Sequence, residues 1–172
     1  MPAVDPLLRR WPLAAFVVSA AMLAIAHAFE TFGHLAPCHL CLKQREVYWV
    51  ALAVSGAASL LLATSWRGPI RRAAGVLLAL VFAYGVYLAA WHAGAEWKWW
   101  PAPPTCSGGG QVSLKDLGAL LRGGPAHAPA CDQAAWVFLG LSMAGWNALI
   151  SLKLLFYSAW AALRDRRAEA AA

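Results

Sequence analysis

The chain has 172 residues, of which 61% are hydrophobic and only 13% charged, with 14 Lys and Arg against 8 Asp and Glu. A soluble domain carries about 25% charged residues, so this composition excludes disorder, collagen-like sequence and an ordinary soluble fold. The length suits a single domain. The basic residues behind the formal net charge of +6 lie between long apolar runs, a membrane pattern rather than a nucleic-acid one.

Four apolar stretches follow one another: 13–29, 47–63, 73–93 and 134–152, the last continuing past Lys153 to Leu163. Each approaches the roughly 20 residues that cross a hydrocarbon core. None contains Pro, and the first three contain no Asp, Glu, Lys or Arg. A buried helix of a soluble protein shows a polar face, which these lack. The expected architecture is an all-α bundle of four transmembrane helices, a single integral domain over 1–172, with connections at 30–46 and 94–133. Arg9 and Arg10 precede the first stretch, as they would precede a signal peptide. No cleavage site follows Phe29, however, and Glu30, Phe32 and His34 come next, so the stretch is read as a retained span.

Basic residues set the orientation. Arg9 and Arg10, then Arg67, Arg71 and Arg72, then Arg164, Arg166 and Arg167 all fall on one side of a four-span chain and make eight of the fourteen. Lys43, Arg45, Lys98, Lys115 and Arg122 fall on the other, beside Glu30, Glu46, Glu96, Asp116 and Asp132. Short loops rich in Arg stay in the cytoplasm, so both termini are expected there and the first and third connections face outward. Lys153 lies 17 residues beyond Trp136. At about 1.5 Å per residue it reaches the cytoplasmic boundary and snorkels.

All four cysteines fall in the two outward connections: Cys38 and Cys41 in the first, Cys106 and Cys131 in the third. An even count facing an oxidising compartment reads as disulfide chemistry. Cys38-His39-Leu40-Cys41 is a Cys-x-x-Cys just before the second span. One or both sulfurs are thus expected near a helix N-terminus, where partial positive charge favours thiolate. Arg45 follows Cys41 by four residues and shares its helix face, so a guanidinium can hold an anion or polarise a carbonyl oxygen there; Lys43 lies on a different face. Cys106 and Cys131 enclose 24 residues rich in Gly and Pro. Within them Leu114, Leu117 and Leu121 predict a short interfacial helix over Val112–Leu121. A static staple is the ordinary reading of such a pair, and a neighbouring Cys-x-x-Cys turns it toward exchange. Trp97, Trp99 and Trp100 suit an interfacial aromatic belt. His27 and His92 sit near outer span ends, where a structural role and a functional one both fit; His92 is the better candidate because it leads into the connection holding Cys106.

The chain resembles the disulfide bond formation protein B (DsbB) family of bacterial inner-membrane proteins. The resemblance rests on the four spans, on Cys38-His39-Leu40-Cys41-Leu42-Lys43-Gln44-Arg45 before span 2, on the later Cys pair, and on Phe138-Leu139-Gly140-Leu141-Ser142-Met143 entering span 4. It implies that Cys106 and Cys131 form a disulfide that oxidises a periplasmic DsbA-like thiol oxidase, with Cys106 in the mixed disulfide. It further implies that Cys131 exchanges with Cys38, and that Cys41 faces a bound quinone, ubiquinone or menaquinone, beside Arg45. His92 is a looser match as a quinone neighbour, and Gln44 stands where some relatives have Glu. The vitamin K epoxide reductase family also pairs two Cys pairs with a quinone, but places its Cys-x-x-Cys after the loop pair. A zinc site normally has closely spaced pairs, and only one pair here is close. C-type haem attachment needs His where Leu42 stands. No metal is expected, and a scaffold with purely structural disulfides is the remaining alternative.

Overall fold

The computed structural model describes residues 10–62, 67–106 and 130–170. The surface helix expected at Val112–Leu121 lies outside them, as do Arg9, Lys115 and Arg122. Four long helices carry the apolar stretches: α1 (Trp11–Thr31), α2 (His39–Leu61), α3 (Arg67–Glu96) and α4 (Met143–Ala170). Two of them, over Trp11–Thr31 and Pro69–Glu96, are long and apolar enough to cross a membrane.

The helix ends depart from the apolar stretches at two places. Residues 39–46, which precede the second apolar stretch, form the opening turns of α2, because Cys38 caps that helix; this is the helix start that the shared face of Cys41 and Arg45 requires. The fourth apolar stretch was expected to be helical from Ala134, whereas α4 starts at Met143. A small antiparallel hairpin, β1 (Val137–Phe138) and β2 (Leu141–Ser142), precedes it. Its turn residues Leu139 and Gly140 both have positive φ, 51° and 79°, the backbone of a tight two-residue hairpin. Hydropathy alone could not separate this apolar hairpin from the helix it leads into. Ser142 Oγ then accepts from the Gly145 amide at 3.1 Å and satisfies one of the free N–H groups at the start of α4.

Packing follows chain order: α1 lies on α2, α2 on α3, and α3 makes its most extensive interface with α4. Helices α1 and α4 scarcely touch. The α3–α4 approach is close because Gly75 has no side chain; a Cβ there would sit 3.0 Å from Ala162 Cβ and 3.1 Å from Ser158 O. Trp11, Leu23, Tyr48, Leu78, Phe82 and Leu154 make the core. Ser55, Ser151, Ser158 and Asn147 are buried with them, while Leu60, Leu80 and Phe156 are exposed. Polar groups inside and large apolar ones outside suit a bundle surrounded by lipid, where small and polar residues join helices. Trp11 Nε1 donates to Ser158 Oγ at 2.9 Å, tying α1 to α4 at the end opposite the cysteines.

Candidate functional site

The four cysteines meet at one end of the bundle. Cys106 and Cys131 form a disulfide, and Cys38 and Cys41 are free. Cys38, Cys106 and Cys131 are buried together with Leu40, and Cys41 and Ala102 pack against them. The Sγ atoms of Cys38 and Cys131 and a ring nitrogen of His92 all lie within 4.8 Å of one another. Such a trio resembles a metal-ligand set, but the Cys131 sulfur is already committed to Cys106. The arrangement therefore reads first as exchange geometry, with one pair's sulfur beside the other's.

Local structure explains the placement. Cys38 has extended backbone (φ −76°, ψ 171°) at the α2 N-cap, and its sulfur accepts from the Cys41 amide at 3.2 Å. The three-residue step across the first helical turn then brings Cys41 Sγ to 2.6 Å from Cys38 Sγ. A 3₁₀ turn, Pro104–Cys106, carries Cys106. Next to Cys131, Asp132 accepts from Lys98 Nζ through its backbone oxygen (2.7 Å) and its carboxylate (2.6 Å), holding this segment to the residues just past α3.

The two free thiols are electrostatically unequal. Cys38 is pushed far above the ordinary thiol range, first by its hydrogen-bond contact with Cys41 and then because it is buried. Cys41 is held below that range, chiefly by the same contact. Burial and Glu96 oppose this, while a backbone hydrogen bond and the Arg45 guanidinium favour it. Of the two, Cys41, the more accessible residue, is the one whose thiolate is favoured. Arg45 is anchored rather than free: Nη1 donates to Glu30 at 2.5 Å and Nη2 to Ala26 O at 3.1 Å. It joins α2 to the end of α1 and uses only part of its donor set. Lys43 points elsewhere and pairs with exposed Glu46.

His92 is 4% exposed. Its Nε2 is 3.7 Å from Cys38 Sγ and 3.7 Å from Glu96 Oε1, and its Nδ1 is 2.9 Å from Gln44 Nε2. Gln44 Oε1 accepts from Asn147 Nδ2, and Asn147 Oδ1 accepts from the Tyr48 hydroxyl, itself 3.2 Å from Ser151 Oγ. Glu96 also accepts from Ser142 Oγ. Sequence reasoning did not single out Glu30, Tyr48, Glu96 or Asn147. Two signals were available: Glu96 stands four residues after His92, one turn along the same face, and Asn147 is an amide inside an apolar run. His27 takes the structural option, with Nδ1 2.8 Å from Leu23 O of its own helix. The indole of Trp100 turns back to donate to Trp91 O at 2.8 Å.

These groups line an open-sided cleft of about 130 Å³. Cys41, Arg45, His92 and Glu96 form its polar side, and Leu23, Ile25, Phe29, Leu35 and Met143 its apolar walls. A second groove, lined by Ile25, Phe29, Trp136, Phe138, Trp146 and Ile150, shares several of these residues and runs between α1 and α4.

Comparison with known proteins adds a family to this geometry. The family model described as "Disulfide bond formation protein DsbB" matches residues 8–161. Disulfide bond formation protein B of Azoarcus sp. (strain BH72) is 32% identical over 161 residues, covering 84% of this chain and 90% of the relative. Disulfide bond formation protein B 2 of Pseudomonas entomophila (strain L48) is 34% identical over 153 residues, covering 86% of each. Disulfide bond formation protein B of Nitrosococcus oceani is 28% identical, covering 84% of this chain and 85% of the relative. No solved structure matches at the same stringency.

Proposed function

The chain belongs to the disulfide bond formation protein DsbB family, and from that premise we propose that it is a quinone-linked membrane thiol oxidase. Its substrate is a reduced periplasmic thioredoxin-fold oxidase of the DsbA type. Helices α1 to α4 all span the bacterial inner membrane, with both termini cytoplasmic and the four cysteines at the periplasmic face. The observation that carries this reading is the placement of Cys131 Sγ within 4.8 Å of Cys38 Sγ, which links the two cysteine pairs.

The exchange proceeds as follows. A partner thiolate attacks Cys106, the Cys106–Cys131 bond breaks, and Cys131 leaves as thiolate. Cys131 attacks Cys38 of an oxidised Cys38–Cys41 pair, forming Cys131–Cys38 and freeing Cys41 as thiolate. The partner's second thiolate resolves the mixed disulfide and departs oxidised. Cys106 then attacks Cys131, restores the Cys106–Cys131 bond and releases Cys38. The Cys38–Cys41 dithiol now holds both electrons, the arrangement of closed and open pairs described above.

The cleft fits a quinone: its walls are apolar, and Cys41 and Arg45 lie together on its polar side. A quinone held there supplies a two-electron acceptor. Arg45 offers N–H donors toward an oxygen that gains negative charge, and Cys41 presents the more acidic sulfur. His92 adds a polar group to the same wall.

The test mixes purified protein, a reduced thioredoxin-fold oxidase and ubiquinone or menaquinone, and follows quinone reduction by absorbance. Turnover that disappears in Cys41→Ser supports the reading. No turnover with either quinone, or full turnover with Cys41→Ser, removes it.

A further inference from the structure

A file of hydrogen bonds leads from Tyr48 to His92, and each link fixes the next. The Tyr48 hydroxyl donates its one proton to Asn147 Oδ1. An amide that accepts on its oxygen has only N–H to offer from its other arm, and Asn147 Nδ2 accordingly donates to Gln44 Oε1. Gln44 in turn presents Nε2 to His92 Nδ1 at 2.9 Å. A ring nitrogen that accepts carries no proton, so neutral His92 bears its proton on Nε2. That nitrogen faces Cys38 Sγ and Glu96 Oε1, each at 3.7 Å.

We propose that Asn147 and Gln44 are positioning residues that lock His92 in its Nε2–H tautomer, so that His92 offers the Cys38 sulfur a hydrogen-bond donor and not a base. Its role in turnover rests on the thiol-oxidase reading above. The donor acts where Cys38 becomes a leaving group: Cys106 thiolate attacks Cys131, the Cys131–Cys38 bond breaks, and the electron pair departs on Cys38 Sγ. No proton leaves His92 in this step. The N–H joins the Cys41 amide as a second donor to a thiolate forming at a residue only 3% exposed, where a charge short of partners is costly. Three helices cooperate in this device: α2 supplies Tyr48 and Gln44, α4 supplies Asn147, and α3 carries His92.

The tautomer is read directly by ¹⁵N NMR of protein in detergent with ring-labelled histidine, the His92 signals being assigned by their loss in His92→Asn. The expected result is an unprotonated Nδ1 and a protonated Nε2. Gln44→Glu replaces the donating amide with a carboxylate that can only accept when ionised, so the proton should move to Nδ1. Asn147→Leu frees the Gln44 amide to rotate and should give a mixture of tautomers. In rapid-mixing experiments, release of Cys38 from the Cys131–Cys38 disulfide should slow about tenfold in Gln44→Glu, the share of one hydrogen bond to a charged group. Attack of the partner on Cys106 should keep its rate.

A protonated Nδ1 in the unmodified protein would overturn the proposal even if quinone turnover is complete, and that measurement needs no variant to fold. An unchanged tautomer in both Gln44→Glu and Asn147→Leu would likewise remove the positioning role. Absence of quinone turnover alongside the expected ¹⁵N pattern would instead sink the thiol-oxidase reading and leave the tautomer lock standing.

Discussion

Gly85 lies where three helices converge just below the cysteines, and replacing it with Ala opposes two measurable effects. A Cβ at Gly85 would sit 3.1 Å from Val47 Cγ1 and 3.4 Å from Ser151 Oγ. Val47 is buried, and a β-branched side chain in a helix has one strongly preferred rotamer, so α2 must give way rather than the side chain. Helix propensity favours Ala over Gly by about 1 kcal/mol, while overpacking costs about 1–3 kcal/mol. The net expectation is a loss of about 0–2 kcal/mol. Gly56→Ala is the control: its Cβ would meet only the ring of Phe16, at 3.3 and 3.4 Å, and Phe16 is 38% exposed and can swing aside. It should retain most of the helix-propensity gain. Equilibrium unfolding in mixed micelles compares the two, and Gly85→Ala should fall below Gly56→Ala by about 1–3 kcal/mol. Equal stability of the two variants would refute the claim that the three-helix junction is closely packed. Displacing Ser151 would also loosen its contact with Tyr48, so Gly85→Ala should disturb the polar file above it.

Alkylation of the reduced protein should begin at lower pH for Cys41 than for an ordinary thiol, because hydrogen bonding holds its thiolate. Cys38→Ala removes the principal cause and should move the Cys41 profile to higher pH; an unmoved profile would show that the neighbouring sulfur does not set its acidity. Lys98→Ala breaks an exposed ion pair and should leave global stability nearly unchanged. It also releases Asp132, next to Cys131, and should speed reduction of the Cys106–Cys131 bond by dithiothreitol; an unchanged reduction rate would refute the tether. Arg45→Met leaves Glu30 and Ala26 O without their donor and should slow quinone reduction more than exchange with the reduced partner, as resolved by stopped-flow absorbance. An equal slowing of both steps would make Arg45 a structural residue only.

Much of this site was legible because its parts obey short-range rules. The i, i+3 spacing of Cys38 and Cys41 and the i, i+4 spacing of Cys41 and Arg45 needed only a helix start nearby, and the cap at Cys38 supplies it. Reading Cys106 and Cys131 beside them relied on topology, since both connections emerge at the same end. The register that joins these groups was not legible: Glu30 meets Arg45, and Gln44 meets His92 with Asn147 and Tyr48 behind it, through packing between helices distant in sequence, and no local periodicity encodes that register. The hairpin at 137–142 escaped for a different reason. Its residues are as apolar as the helix that follows, and only the left-handed turn at Leu139 and Gly140 separates them.

The gap between α1 and α4 has a consequence for supply. With α1 and α4 spanning the bilayer as proposed, such a crevice would open sideways, toward the acyl chains, and a guest dissolved there would reach the adjoining cleft by lateral diffusion in a plane. Its occupancy would then follow mole fraction among the lipids and not molarity in water. Diluting the oily guest with extra phospholipid, at constant protein, would starve the crevice even though nothing in the aqueous phase had changed.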